Sequence, residues 1–527
     1  MPTRFPATLV SLALMLPALA AAQPLSPAAS QWWADVSAIA SDANQGRLTG
    51  SPGYMRAADY VIARFRKDGL EPAGTDGYLQ SVSLEQQTVD QDKSRAELVG
   101  AAGATPLKVG DDMLITTYGG PRPVAITAPL VFIGYGLHLP KQGHDDFAGL
   151  DLKGKIAVVL SGGPADISGP IKSNARSERN RELAAAGALG VIALTTPKQV
   201  EIVWARQKLI AKGPGMYLAD PAMRDVDTEF FTATFDPEKS QLLFAGSGHD
   251  FTPIAALADA SKPLPRFDLA LKLKADVSVR RSQLASPNII AKLPGSDPKL
   301  AGEYVVVSAH LDHLGVGAPI KGDAIYNGAM DDASGVASVL DIAHRLTTGP
   351  RPRRSILFAA FTAEEKGLLG SRYFASHPTV PRDAIVADMN FDMPLPLWPL
   401  KMVYVPGETE SSLGADLRAA AGPMGIDVVP DPMPDRNVFV RADQYSFVRQ
   451  GIPSLFFKFG FKKGSPEFDI EHDWRANRYH SPSDDLEQPN IHKEDAAKLD
   501  ALVTAVTLRV ANADGRPHWL AGSIFNK

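Results

Sequence analysis

Tyr304-Val305-Val306-Val307-Ser308-Ala309-His310-Leu311-Asp312-His313 is the stretch on which the fold turns. Its valine-rich first half reads as a strand buried on both faces, and it stops abruptly at a cluster of metal-competent side chains. The same design recurs downstream. Ser355–Phe361 is a second buried strand and ends in Thr362-Ala363-Glu364-Glu365, and Ile385–Phe391 is a third and ends at Asp392. Ser454–Phe459 completes the clear strands, while Ala333–Leu346 and Glu364–Ser376 have helical patterns. Strands alternating with helices predict an α/β fold with an open mixed, mostly parallel sheet flanked by helices.

Upstream, Ser30 to Gly69 carries a helical stripe that includes Trp32, Trp33, Val36, Ile39, Tyr60, Ile62 and Phe65. The turn residues Leu48-Thr49-Gly50-Ser51-Pro52-Gly53 interrupt it. From about Gln91 to Leu284 the pattern changes to strand-like runs such as Pro129–Tyr135 and Lys155–Leu160, separated by Gly- and Pro-rich turns. Arg176–Ala186 reads as a helix there, and Gly190–Thr195 as a buried strand. The expected organisation is a discontinuous domain, 23–90 with 285–527, interrupted by an inserted segment, 91–284.

The chain has 527 residues, enough for two or three domains. Its 45% hydrophobic and 21% charged content is that of a globular protein. A net charge of −5 gives no reason to expect nucleic acid or an anionic membrane as partner. Residues 1–22 read as a signal peptide: Arg4, an apolar stretch from Ala7 to Leu19, and an A-x-A site at Ala20, Ala21 and Ala22. Export to a periplasm or the medium is the expectation. There is no cysteine, so disulfides, thiolate ligands and thiol catalysis are excluded and any metal must be held by His, Asp and Glu.

In open α/β sheets, functional groups collect beyond the carboxyl ends of the strands. Three strand ends here deliver His310, Asp312, His313, Glu364, Glu365 and Asp392. A fourth segment, Gly328-Ala329-Met330-Asp331-Asp332-Ala333-Ser334-Gly335, adds acids directly before a helix. One such ending is ordinary; several in succession are not loop decoration. Imidazole and carboxylate donors suit zinc, with cobalt or manganese as substitutes. Two such ions can activate one water between them, given a bridging carboxylate and a free one to take the proton. Neighbours at a helix start point apart, so Glu364 and Glu365 can divide those duties. No His-Glu-x-x-His, Gly-x-Ser-x-Gly or Walker loop is present.

These motifs, together with Asn390-Phe391-Asp392 and Tyr479-His480-Ser481-Pro482-Ser483-Asp484, resemble in order the metal-site motifs of M28 zinc peptidases, over roughly 40–70 and 287–510. The resemblance implies a zinc exopeptidase fold and two zinc ions per chain. It implies that His310 and Asp392 hold one zinc, that Glu365 and His480 hold the other, that Asp331 bridges them and that Glu364 is the general base. Asp312 would accept the second ring proton of His310. Tyr479 is a candidate oxyanion donor, with a packing role as the plain alternative. Leu130–Gly136, Asp151–Ile156 and Ala184–Ile192 resemble a protease-associated (PA) domain, β-rich and α+β, with a core at about 128–260. That resemblance implies a role in substrate access.

Two departures stand out. Relatives often carry Asp-Asp-Asn before Ala-Ser-Gly, where this chain has Met330-Asp331-Asp332, leaving Asp332 as an added charge or a helix cap. Relatives commonly have Ser-Asp-His near Arg441-Ala442-Asp443-Gln444-Tyr445, and Gln444 stands in place of that His. His344 reads as structural, His313 as a loop residue with support of a ligand as the alternative, and His472 as a non-ligand. The function implied is an exopeptidase acting on peptides, most specifically an aminopeptidase. A carboxypeptidase using Arg436, Arg441, Arg475 or Arg478, a glutaminyl cyclase-like enzyme and a silent peptide-binding protein are the alternatives.

Overall fold

The computed structural model describes residues 24–526 apart from 118, 201 and 437; the expected signal peptide lies outside them. A mixed sheet of ten strands forms the larger layer. Its centre is parallel: Ser355–Phe361, Tyr304–His310, Ile385–Phe391 and Ser454–Phe459 lie side by side in that order. Antiparallel strands extend both sides, with Val279–Leu293, Leu79–Val89 and Gly215–Leu218 on one and Met402–Tyr404 on the other.

The valine run is buried on two faces, as its lack of alternation requires. Val305, Val307 and Ala309 enter one core with Trp32, Phe65 and Val339, while Val306 points to the other with Phe374 and Phe447. The first core is built by the helices Pro27–Ile39, Pro52–Lys67, Ser334–Thr348 and Lys493–Asn512; the second lies under Leu369–Ser376 and Gln444–Arg449. Ser51 accepts from Tyr54 N–H, and Pro52 follows it, so the helix Pro52–Lys67 starts with a cap and a residue preset for the first turn.

The chain leaves this layer along Leu79–Val89 and returns along Val279–Leu293, which pair over eleven positions as a long ribbon. Val89 and Val279 at the far end pack into a separate core. That core lies on an eight-stranded sheet containing Ala125–Phe132, Ile156–Leu160 and Gly190–Leu194, parallel to one another at its centre. Gly215–Leu218 leaves that region and adds a strand to the larger sheet. Among the described residues, no helix is long and apolar enough to cross a membrane.

Helical boundaries differ from the sequence reading in one place that matters. The helix expected over Glu364–Ser376 begins only at Leu369, and Glu364 and Glu365 stand in the turn before it. Ala363 and Leu368 there have positive φ of 56° and 59°, which no helix allows.

Arg47 joins the site-bearing segments. It is fully buried in the 3₁₀ turn Asp42–Arg47 and donates to the carbonyls of Ile39, Leu311, Asn327 and Gly328. No smaller donor can reach four buried acceptors. Arg47→Ala strands them, and each orphaned group costs about 1–3 kcal/mol. Urea unfolding should therefore show a loss of at least ~2 kcal/mol, and Arg47→Lys should restore little of it.

Candidate metal centre

The parallel strands end on one edge, and their ends carry the acids and histidines to one place. His310 closes the strand Tyr304–His310, Glu364 and Glu365 follow Phe361, and Asp392 follows Phe391. Asp331 arrives from the segment between Asp323–Tyr326 and the helix Ser334–Thr348, and His480 from the turn after Pro466–Asn477.

Two groups of donors form. His310, Asp331 and Asp392 offer ligand atoms within 4.8 Å of one another, and so do His313, Asp331 and Glu365. Asp331 belongs to both: its Oδ1 lies 3.2 Å from His310 Nε2, and its Oδ2 lies 3.3 Å from His480 Nε2. His480 Nε2 is also 3.2 Å from Glu365 Oε2. Glu364 stands beside the first group, its Oε2 4.0 Å from His310 Nε2.

The Asp331 backbone is held from the far end of the chain. Asp484 accepts the N–H groups of Met330 and Asp331, both at 3.0 Å, and takes a third bond from Gln488. The Asp331–Asp332 peptide bond is cis. Gly328 has φ 60°, and a Cβ there would lie 2.1 Å from the Asp331 carbonyl and 2.7 Å from the His313 ring, so only glycine fits.

Residues 288–507 match peptidase family M28. The chain carries a peptidase family M28 domain. Aminopeptidase YwaD of Bacillus subtilis is 25% identical over 82% of this chain and 79% of its own length. Leupeptin-inactivating enzyme 1 of Streptomyces exfoliatus is 31% identical over 32% of this chain; the match spans about a third of that relative, 34%. An aminopeptidase of Aneurinibacillus sp. strain AM-1 shares the fold, with a TM-score of 0.54 at 21% identity, covering 93% of this chain and 95% of that one.

Within the M28 domain the electrostatics are those of a cluster assembled for cations. Asp331, Asp332, Glu364, Glu365 and Asp392 face three histidines, 310, 313 and 480, with little water to screen them. Burial pushes the Asp331 carboxyl up, but contacts with His310 and His480 outweigh it and hold it well below the usual range. Burial raises Glu364 well above its ordinary value; His310 opposes this, while Asp392 and Glu365 add to it. Burial lowers His480, yet Glu365 and Asp331 carry it up to about 9. Several donors have no hydrogen-bond partner: His310 Nε2, both ring nitrogens of His313, Glu365 Oε1 and Asp392 Oδ1. His313 Nδ1 and Glu365 Oε1 approach to 2.6 Å without hydrogen-bond alignment. Orphaned N and O donors converging in this way fit zinc's preferred ligand types.

Other residues depart from the sequence reading. The carboxylate of Asp312 does not accept the His310 ring proton; its backbone carbonyl stands 3.0 Å from His310 Nδ1, with the carboxylate 4.0 Å away. That carboxylate instead accepts Glu364 N–H and Thr49 Oγ–H, so it fixes the turn carrying Glu364. His313, read as a loop residue, is buried inside the second donor group. Its signal was its place in the His310–His313 motif, three residues past a strand end. Asp332 accepts Gly335 N–H at the start of its helix and Met393 N–H beyond Asp392. Gln444 is buried, accepting from Asn390 and donating to the Phe439 carbonyl. His472 is exposed and stacks on Phe468, and His344 meets Asp68.

A pocket opens onto the donors. Tyr479 lines it with its ring centroid 3.9 Å from that of His480, and Val438, Phe456 and Met393 supply apolar wall. Arg441, Lys458 and Arg475 line it as well. Lys458 donates to the carbonyls of Asp392 and Met393, so it also fixes the strand end that presents Asp392.

Asp331→Ala removes the one side chain common to both donor groups. Zinc content measured by elemental analysis should fall at both groups together, while Asp332→Ala should leave it near that of the parent.

Proposed function

We propose that the chain is an exported, zinc-dependent exopeptidase, an aminopeptidase of M28 type, and that it holds two zinc ions. One observation supports this above all: Asp331 offers one oxygen to each donor group while Glu364, close by, belongs to neither. His310 and Asp392 would hold one ion, Glu365 and His480 the other, with Asp331 between them. His313 is a further donor for the second. Bound there, the two ions would supply positive charge that polarises a peptide carbonyl and acidifies water.

The rest falls to side chains of the chain. Glu364 accepts the proton of the attacking water and returns it to the leaving amine. Asp312 holds the Glu364 backbone in place through its N–H. Tyr479, beside His480 at the pocket wall, would donate its hydroxyl to the oxyanion. The free α-amine of a peptide would sit against the acids. Residues 23–90 with 285–527 would form the peptidase domain, and 91–284 an inserted segment with a PA-like core at about 128–260. The named activities of YwaD and of the Aneurinibacillus aminopeptidase agree with this reading.

A second reading, a carboxypeptidase, is favoured by the cations at the pocket, Arg441, Lys458 and Arg475, which suit a substrate carboxylate. Peptides with free, N-blocked and C-blocked ends separate the two. An aminopeptidase cleaves the free and C-blocked forms and leaves the N-blocked form intact; the reverse pattern rejects it.

Glu364→Gln keeps the shape of the side chain and removes the base. Turnover should fall by about two to four orders of magnitude with zinc content unchanged at two per chain. Near-parental activity would assign the base elsewhere.

A further inference from the structure

The region between the two strands of the ribbon contributes no candidate ligand, yet it reaches the site. The short helix Trp204–Ile210 is fastened to its own surroundings: Trp204 Nε1 donates to the Asp111 carbonyl, and Lys208 Nζ meets the Asp111 carboxylate, both at 2.7 Å. From the same helix Arg206 crosses to the peptidase layer. Its Nη1 donates to the Tyr479 carbonyl at 2.7 Å, and its Nη2 to the Ala476 carbonyl.

Both acceptors bear on His480. The Tyr479 carbonyl belongs to the peptide plane that begins His480, so the bond fixes how that plane enters the residue. His480 has φ 53°, a left-handed conformation that a residue with a side chain rarely adopts and that persists only where its surroundings hold it. Ala476 lies in the last turn of the helix Pro466–Asn477, where carbonyls lack intrahelical partners and a cation is favoured. Arg206 is nearly buried, and among the described residues no carboxylate lies within 4.0 Å of it. Its charge is therefore spent on these two carbonyls rather than on an ion pair, and its planar fork spans them as an ammonium cannot.

We propose that Arg206 is a positioning residue for the second metal group: it holds His480 in ligating conformation, so one zinc depends on a segment that ligates neither. This rests on the two-zinc reading above. The first group, His310, Asp331 and Asp392, has no contact with Arg206 and should not depend on it.

The test is a titration of the metal-free full chain with Co²⁺ and with Zn²⁺, followed by absorbance and calorimetry. The parent should bind two ions in resolvable steps, and His480→Ala identifies the step that belongs to the second group. Arg206→Ala should weaken that step by about 10–100-fold, as losses of supporting contacts do, and leave the other unchanged. Arg206→Lys, which keeps the charge at the helix end but not the fork, should recover part of the loss. If Arg206→Ala does not fold, the same selective weakening must appear in Arg206→Lys. Unchanged affinities, or both steps weakened by one factor, overturn the proposal while leaving the two-zinc reading intact. A parent that binds fewer than two ions overturns that reading and this proposal together.

Discussion

Too many buried carboxylates in too small a space is the constraint around which this molecule is arranged. Asp331, Asp332, Glu364, Glu365 and Asp392 converge at one end of a parallel sheet with three histidines among them. Charges so placed are unfavourable unless each is paired, bonded or matched by a cation. The protein meets part of the demand itself. One oxygen of Asp332, Oδ1, takes the amides of Gly335 and Met393, and Asp331 rests against two imidazoles. Besides Asp332 Oδ2, the atoms left over are those of His310, His313, Glu365 and Asp392, which belong to two groups that share Asp331.

Most supporting contacts act on backbone rather than on the donors. Arg47 gathers three carbonyls from the segments carrying His310–His313 and Asp331 and a fourth from the end of the helix Pro27–Ile39. Asp484 takes the two amides at Asp331, Asp312 the amide of Glu364, Lys458 the carbonyls at Asp392, and Arg206 the carbonyl before His480. Each donor-bearing turn is thus pinned one bond away from its side chain, leaving carboxylate and imidazole atoms open to a ligand.

The parallel centre was legible in the sequence because a strand buried on both faces has no alternation to hide. Ile385–Phe391 appears with the bounds its apolar run suggests, and Tyr304–His310 extends one residue past the run Tyr304–Ala309. The meeting of their ends was legible for the same reason, since parallel strands finish on one edge. The turn at Glu364 was not, because its path depends on positive φ at Ala363 and Leu368, which apolar periodicity does not encode. Nor was the duty of Asp312, where carbonyl and carboxylate exchanged roles, or the burial of His313. The reach of Arg206 spans 270 residues or more of sequence and has no local signature. Long-range contacts of single arginines are set by packing between layers, which pattern alone does not give.

The most direct measurement is anomalous diffraction at the zinc edge from crystals of the full chain. Two peaks are predicted, about 3.5–4 Å apart, with Asp331 between them and each about 2.0–2.2 Å from one of its carboxylate oxygens. A single peak, or two peaks of which either has no Asp331 oxygen in its coordination sphere, would contradict the shared-carboxylate centre.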